Sequence, residues 1–184
     1  MSLIHPALII VDMQRCMASP AAGVRNNPGA ESVICDLLRA WRAARAPVVH
    51  VRHMSRTPGS LFWPGQPGVE FQPGLAPLDT EHVVEKNVPD AFTHTGLERW
   101  LHARAIDRVV VVGVSTNNSV EATARSAGNL GFKTCVAADA TFAFTRTDFD
   151  GVQRTAQEVH AMALANLHGE YATVTTAAQL LRAL

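Results

Sequence analysis

The sequence is poor in cysteine and in charged residues. Its three cysteines, Cys16, Cys35 and Cys135, are odd in number and form no close pair. This disfavours a disulfide framework or a zinc knuckle and favours a reducing compartment, the cytoplasm. Charged residues make up 17% of the chain, and 16 Lys+Arg balance 16 Asp+Glu. Because there is neither a basic stripe nor a net charge, we expect no binding to nucleic acid or to an anionic membrane.

The sequence also lacks a long hydrophobic run. The N-terminal segment MSLIHPALIIVDMQ has only a short apolar run, Ala7 to Val11, and no basic region before it. Such a run is too short to span a bilayer or to act as a secretory signal. With 184 residues, of which 47% are hydrophobic, the chain can form one domain, 1–184, around a sizeable core.

Short apolar runs alternate with amphipathic segments along the chain. Continuous apolar runs predict strands that are buried on both faces; they are Ala7–Val11, Pro47–Val51, Val109–Val114 and Thr134–Ala138, with weaker strands at His82–Val84 and Tyr171–Thr175. Helical spacing predicts helices at Glu31–Ala44, Thr95–Arg104, Val120–Leu130, Thr155–Leu167 and Thr176–Leu184. This alternation predicts a three-layer α/β/α sandwich around a mostly parallel sheet.

The segment Ser55 to Leu78 is a long loop rich in proline and glycine that also contains Phe62, Trp63 and Phe71. Long loops in compact domains are usually functional or disordered. Because aromatic residues favour packing, we expect an ordered loop that leans over a site.

Polar residues follow several of the predicted strands. Ligands of open α/β sheets bind beyond the carboxyl ends of the strands, and that rule selects Asp12, His53, Lys86, Ser115–Ser119 and Asp139. By position alone, Asp12 and Asp139 are equally well explained as caps or turn residues. Lys86 is better explained as a solvated ion pair with Glu85. His50 and His53 would face opposite sides of a strand, which disfavours a metal pair.

Six segments in order resemble the isochorismatase-like hydrolases, also called the cysteine hydrolase superfamily. They are ALIIVDMQ, VVHVRH, FWPGQPGVEFQPGLAP, VVEKNVPDAF, VVVGVSTNNSVEATARSAGNLGF and AADATFAF. The resemblance implies a Rossmann-like fold and a homodimer or homotetramer. It also implies a catalytic Asp, Lys and Cys, which fall on Asp12, Lys86 and Ser119, so that serine stands at the cysteine position. A cis peptide at Val114–Ser115 is implied as well, with an oxyanion turn formed by Val114, Ser115 and Thr116.

The serine leaves three hypotheses for the function. Ser119 attacks a small amide or related acyl substrate, with Asp12 as base and Lys86 as electrostatic partner. Alternatively, as the resemblance implies for isochorismatases, Asp12 acts as general acid on a vinyl ether, with Arg52 and Arg146 as candidate carboxylate ligands. In the third hypothesis the protein only binds a small ligand, Ser119 is an inert residue early in a helix, and Ser115 or Asn118 caps that helix. An engineered replacement of cysteine would give the same sequence.

The walls of the pocket are predicted from residues beside the matched catalytic positions. These are Trp63, Phe92, Asn118 and Phe142. Aromatic side chains there would exclude water and favour a small apolar or planar substrate. The alternative is ordinary packing in the core or the loop. The resemblance implies a metal site, formed by an Asp and paired histidines, only for some nicotinamidase-like members. Because the segment from His50 to Trp63 lacks a convincing D-x-H, we predict no metal, and no organic cofactor is indicated by the sequence.

Overall fold

A computed structural model describes residues 5–184. The first four residues, which belong to the N-terminal segment considered above, lie outside the described part. The strands are β1 (Ala7–Val11), β2 (Val48–His53), β3 (His82–Lys86), β4 (Arg108–Val114), β5 (Lys133–Phe142), β6 (Arg146–Thr147), β7 (Gln153–Arg154) and β8 (Thr173–Thr175). The α-helices are α1 (Ala30–Ala43), α2 (Leu97–His102), α3 (Glu121–Asn129), α4 (Ala156–Leu167) and α5 (Ala177–Ala183).

Six strands form one parallel sheet in the order β3-β2-β1-β4-β5-β8. The predicted strands are confirmed, although β5 continues four residues beyond the predicted end at Ala138. β6 and β7 form a separate antiparallel pair that the sequence analysis does not predict. The predicted fold class is confirmed, since helices flank a mostly parallel central sheet.

Two hydrophobic clusters lie on opposite faces of the sheet, because alternate residues of each buried strand point to opposite sides. The first contains Leu97 and Leu101 of α2, together with side chains from α3 and α4. The second contains Leu37 and Trp41 of α1, together with Ala177 at the start of α5. The sheet is therefore the middle of three layers.

The loop from Ser55 to Leu78 is ordered, as predicted. It contains two short 3-10 turns, Pro67–Val69 and Pro73–Leu75. The Gln14 side chain binds this loop through Nε2, which donates to the Val69 carbonyl at 2.9 Å. The loop thereby folds back beside the end of β1.

Glycine is required where β4 approaches β1. Gly113 pairs with Val11 and has a φ of +116°. A Cβ at this position would lie 2.1 Å from the Val11 carbonyl oxygen. This close approach brings the turn that follows β4 next to the end of β1.

No helix within residues 5–184 is long and apolar enough to cross a membrane.

Candidate active site

Asp12, Lys86 and Ser119 meet beyond the carboxyl ends of the strands. Lys86 Nζ donates to Asp12 Oδ2 at 2.7 Å and to Ser119 Oγ at 3.3 Å. All three side chains belong to buried residues. An ammonium group therefore bridges a carboxylate and a hydroxyl that lie 107 positions apart in the chain.

The alternation of β3 explains why Lys86 lies inside. Glu85 and Lys86 are consecutive, so their side chains leave opposite faces of the strand. Glu85 is exposed and pairs with Arg52, whereas Lys86 is buried and pairs with Asp12. The interpretation of Lys86 as the solvated partner of Glu85 is therefore wrong.

A tight turn connects β4 to α3 and carries Ser119. The peptide Val114–Ser115 is cis, as the resemblance implied. Residues Thr116–Val120 then form a single π turn that continues into α3. The Ser115 side chain makes no capping hydrogen bond. The helix thus begins without the cap that the third hypothesis assigned to Ser115.

His160 of α4, which the sequence analysis does not select, contacts this turn. The Thr116 hydroxyl lies 2.8 Å from Nδ1 of His160, and both residues are buried. Burial lowers the pKa of His160, which favours the neutral ring. Thr116 therefore uses its side chain to fix the turn against α4.

Asp12 and Ser119 line a small cavity of about 200 Å³, and Lys86 donates to both of them. Its lining contains Asp12 and Ser119 together with Met17, His53, Phe62, Pro89, Val114, Ser115 and Asn118. Sites for drug-sized ligands are usually about 300–1,000 Å³. The cavity therefore suits a ligand of few atoms.

Comparison with known proteins agrees with this geometry. A family model described as the isochorismatase domain matches residues 6–179. The chain belongs to the isochorismatase family. It is a hydrolase of that family, and it shares the family fold along its length.

Relatives of this isochorismatase-family hydrolase match nearly end to end. The isochorismatase family protein YrdC of Bacillus subtilis (strain 168) is 39% identical, over 95% of this chain and 94% of its own. Nicotinamidase 3 of Arabidopsis thaliana is 30% identical, over 97% of this chain and 88% of its own. The crystal structure of an isochorismatase-family hydrolase from Chromobacterium violaceum ATCC 12472 is 49% identical, with a TM-score of 0.95, and covers 100% of this chain and 95% of that one.

The predicted walls of the isochorismatase-family site are only partly where the sequence placed them. Of the four predicted residues, Asn118 lines the cavity. Trp63 is exposed on the loop, and the cavity aromatic is its neighbour Phe62. Phe92 packs on Phe132 in the core, with ring centroids 5.8 Å apart.

Phe142 also lies away from the cavity. It is fully buried in the cluster with α1, because β5 continues to this residue instead of ending before it. The Arg25 guanidinium lies over its ring, 3.4 Å from the centroid. The structure thus favours ordinary packing for Phe92 and Phe142, and it leaves Trp63 in solvent.

Three other polar candidates have structural partners. Asp139 Oδ1 accepts from the Ala177 amide at 2.8 Å, so Asp139 caps α5. Arg52 is paired with Glu85, and Arg146 is exposed on the β6–β7 pair. None of these three lines the cavity of the isochorismatase-family site.

Gln14 lies beside the candidate site, and the sequence analysis does not select it. Its side chain is buried, accepts from the His53 amide at 2.8 Å and donates to the His53 carbonyl at 3.0 Å. Because it lies two residues after Asp12 in a sequence of loop character, nothing in the pattern separated it from an ordinary turn residue. Gln14 fixes the end of β2 beside Asp12.

The thiol of Cys16 is poorly suited to replace a catalytic cysteine. Burial, aided by the charge of Asp12, raises the pKa of Cys16 to about 11, and a protonated thiol is a weak nucleophile. Within residues 5–184, His, Cys, Asp and Glu form no group of three or more that could hold a metal ion.

Proposed function

We propose that this protein hydrolyses a small amide or a related acyl C–N bond, with Ser119 as the nucleophile. The observation that carries the proposal is the Lys86 bridge between Asp12 and Ser119 at the cavity. Asp12 is the general base and acid, and Lys86 is the electrostatic partner.

Asp12 has a free oxygen for proton transfer. Its Oδ2 accepts from Lys86, while its buried Oδ1 has no hydrogen-bond partner within residues 5–184. A buried acceptor without a donor costs free energy in the resting protein. Such an oxygen is suited to receive a proton from Ser119 and to return it to the leaving nitrogen.

The proposed reaction has two steps. Ser119 Oγ bonds to the acyl carbon as its proton passes to Asp12, and the C–N bond then breaks as that proton moves to the nitrogen. Water next attacks the acyl-serine, gives a proton to Asp12 and releases the acid, and Ser119 regains a proton. Lys86 stabilises negative charge on Oγ through its N–H.

The oxyanion of each tetrahedral intermediate needs donors of its own. We assign this role to the backbone amides of Ser115 and Ser119 in the turn that begins at Val114. Ser115 and Ser119 line the cavity, and backbone N–H groups at such turns are common oxyanion ligands. Asn118 supplies a polar side chain at the same wall.

The cavity favours a small uncharged substrate. Among residues 5–184 no arginine lines it, and the two arginines considered as carboxylate ligands lie elsewhere. That composition disfavours the vinyl ether hypothesis, which needs carboxylate ligands for its substrate. The similar nicotinamidase from Arabidopsis thaliana is named for an amide substrate, which agrees with the amide hypothesis.

Three variants test the proposal on a panel of small amides and enol ethers. We expect Ser119→Ala and Asp12→Asn to lose amidase activity by at least about 100-fold, because each removes a group that acts in the transition state. Ser119→Cys should retain activity, since a thiolate forms more easily than an alkoxide. Asp139→Asn, which changes the capping aspartate, is the control.

The alternatives give different results in the same assay. Full activity of Ser119→Ala together with loss in Asp12→Asn would exclude the covalent step. Turnover of enol ethers alone would support the vinyl ether hypothesis. If wild type converts no compound that it binds, the ligand-binding hypothesis is supported.

Three further expectations belong to the same proposal. We place the protein in the cytoplasm, where its three free thiols would stay reduced. We propose a single domain, 1–184, that forms a homodimer or homotetramer. The exposed apolar side chains of Phe149 and Met162 support an association of copies, which sedimentation equilibrium would measure.

A further inference from the structure

His53 supplies an imidazole to the lining of the cavity. It is the last residue of β2 and pairs with Lys86 in the register of the parallel strands β2 and β3. Its Nδ1 lies 3.4 Å from Lys86 Nζ, and its ring contacts Phe62 edge-on with centroids 5.2 Å apart. Gln14 binds both backbone polar groups of His53. Gln14 therefore fixes the backbone of His53, and Phe62 restricts the position of its ring.

The ammonium group of Lys86 has one N–H donor for each of three polar neighbours. A lysine ammonium has three N–H donors and no acceptor. Lys86 Nζ has three neighbours with lone pairs: Asp12 Oδ2 at 2.7 Å, Ser119 Oγ at 3.3 Å and His53 Nδ1 at 3.4 Å. Nδ1 can accept from an ammonium only when it carries no proton. The contact thus selects a neutral His53 with its proton on Nε2.

We propose that His53 is a positioning residue which, as a neutral imidazole, accepts one N–H of Lys86 and thereby directs another N–H at the Ser119 oxygen. The inference rests on the proposed function, because it assumes that the atom at position 119 attacks. His53 itself does not touch the reacting bond. Its effect passes through the orientation of the Lys86 ammonium group.

The contact between His53 and Lys86 should be lost as the pH falls. Asp12 directly after β1, Lys86 from β3 and Ser119 from the turn after β4 face the ring, and the uncharged Phe62 from the loop contacts it. Burial and the charge of Lys86 lower the pKa of His53 from 6.5, against the opposing effects of Asp12 and of the Val88 backbone. The neutral ring is therefore the main form at pH 7. Protonation below that pKa removes the acceptor and places a second cation beside Lys86.

A thiol at position 119 reports this effect without a substrate. In Ser119→Cys, the rate of alkylation by iodoacetamide as a function of pH gives the pKa of the new thiol. Wild type supplies the background, since its three thiols are half-buried or buried and burial raises the pKa of each. We expect the pKa of the new thiol to lie below the ordinary value of about 8.5, because the ammonium favours the thiolate.

Two replacements of His53 distinguish the position of the acceptor atom from the mere presence of a polar side chain. His53→Asn in the Ser119→Cys background offers an amide oxygen near the place of Nδ1, whereas His53→Gln offers it near Nε2. We expect the thiol pKa to stay within a few tenths of a unit in the asparagine variant. In the glutamine variant, and in His53→Leu, we expect it to rise by about one unit, at the low end of the effect of a nearby opposite charge.

The same measurements decide against the proposal in two cases. An unchanged thiol pKa in all three variants would show that Lys86 needs no third acceptor. An equal rise in all three would show that the place of Nδ1 does not matter. Because no substrate is used, a positive result stands even if no amide is hydrolysed, and turnover without this response would leave the proposed function intact.

Discussion

Loss of Lys86 should destabilise the protein strongly, because it leaves a charged carboxylate buried. Lys86→Met keeps the length of the side chain and removes the ammonium group. Asp12 is 2% exposed, and within residues 5–184 its Oδ1 has no hydrogen-bond partner, so the carboxylate depends on Lys86 for its charge partner. Breaking a buried ion pair costs about 3–5 kcal/mol, and we expect that loss in the free energy of unfolding.

Urea denaturation followed by circular dichroism measures the effect. With a slope of about 2 kcal/mol per molar urea, the midpoint should fall by about 1.5–2.5 M. Lys133→Met is the matched control, since the Lys133 side chain is 77% exposed and its ion pair with Asp107 spans 3.5 Å. An exposed pair of this kind contributes at most about 1 kcal/mol.

A double-mutant cycle shows whether the pair itself is the cause. We expect Asp12→Asn with Lys86→Met to be more stable than the sum of the single losses predicts, by about 2 kcal/mol or more. Single variants within about 0.5 kcal/mol of wild type would refute a buried Asp12–Lys86 pair.

Three further predictions concern the stability of the fold. Burial raises the pKa of Glu81, but hydrogen bonds, chiefly from Arg42, lower it to about 2; Glu81→Gln should therefore lower the free energy of unfolding by about 2–3 kcal/mol. In wild type this contribution is present above the ordinary value of 4.5 and is lost as the pH falls towards 2, which urea titrations at several pH values would detect. Gly113→Ala should abolish folding, seen as loss of soluble protein, because its Cβ would lie 2.1 Å from a carbonyl oxygen; Gly131→Ala, also at positive φ but in open space, should cost only about 1–2 kcal/mol. Thr155→Ala removes a capping box from α4 and should cost about 1 kcal/mol in the same urea assay.

The sheet could be predicted because its inner strands are buried on both faces. β1 and β4 are continuous apolar runs, and their observed bounds agree with the predicted ones to within one residue. The predicted strand Thr134–Ala138 ends too early, because an aspartate such as Asp139 usually follows the end of a strand. In the structure Asp139 lies within β5 and caps a helix instead, which a local pattern does not reveal.

The site could be predicted in part. The rule of strand ends selects Asp12 and the turn at Ser119, but the choice of Lys86 over an ordinary ion pair depended on the resemblance. The contact between His53 and Lys86 follows from the register of β2 and β3, which the sequence does not specify. Phe62 and Trp63 are adjacent in an irregular loop, where no period tells which ring faces the cavity.

The attack by Ser119 is the central claim, and a trapped intermediate tests it most directly. Wild type and Ser119→Ala would be incubated with p-nitrophenyl acetate, quenched in acid and digested, and the peptides would be weighed by mass spectrometry. We predict one acetyl group on the peptide that contains Ser119 in wild type and none on that peptide in Ser119→Ala. Undiminished hydrolysis of an amide substrate by Ser119→Ala, with no acetyl group on the wild-type peptide, would contradict the account.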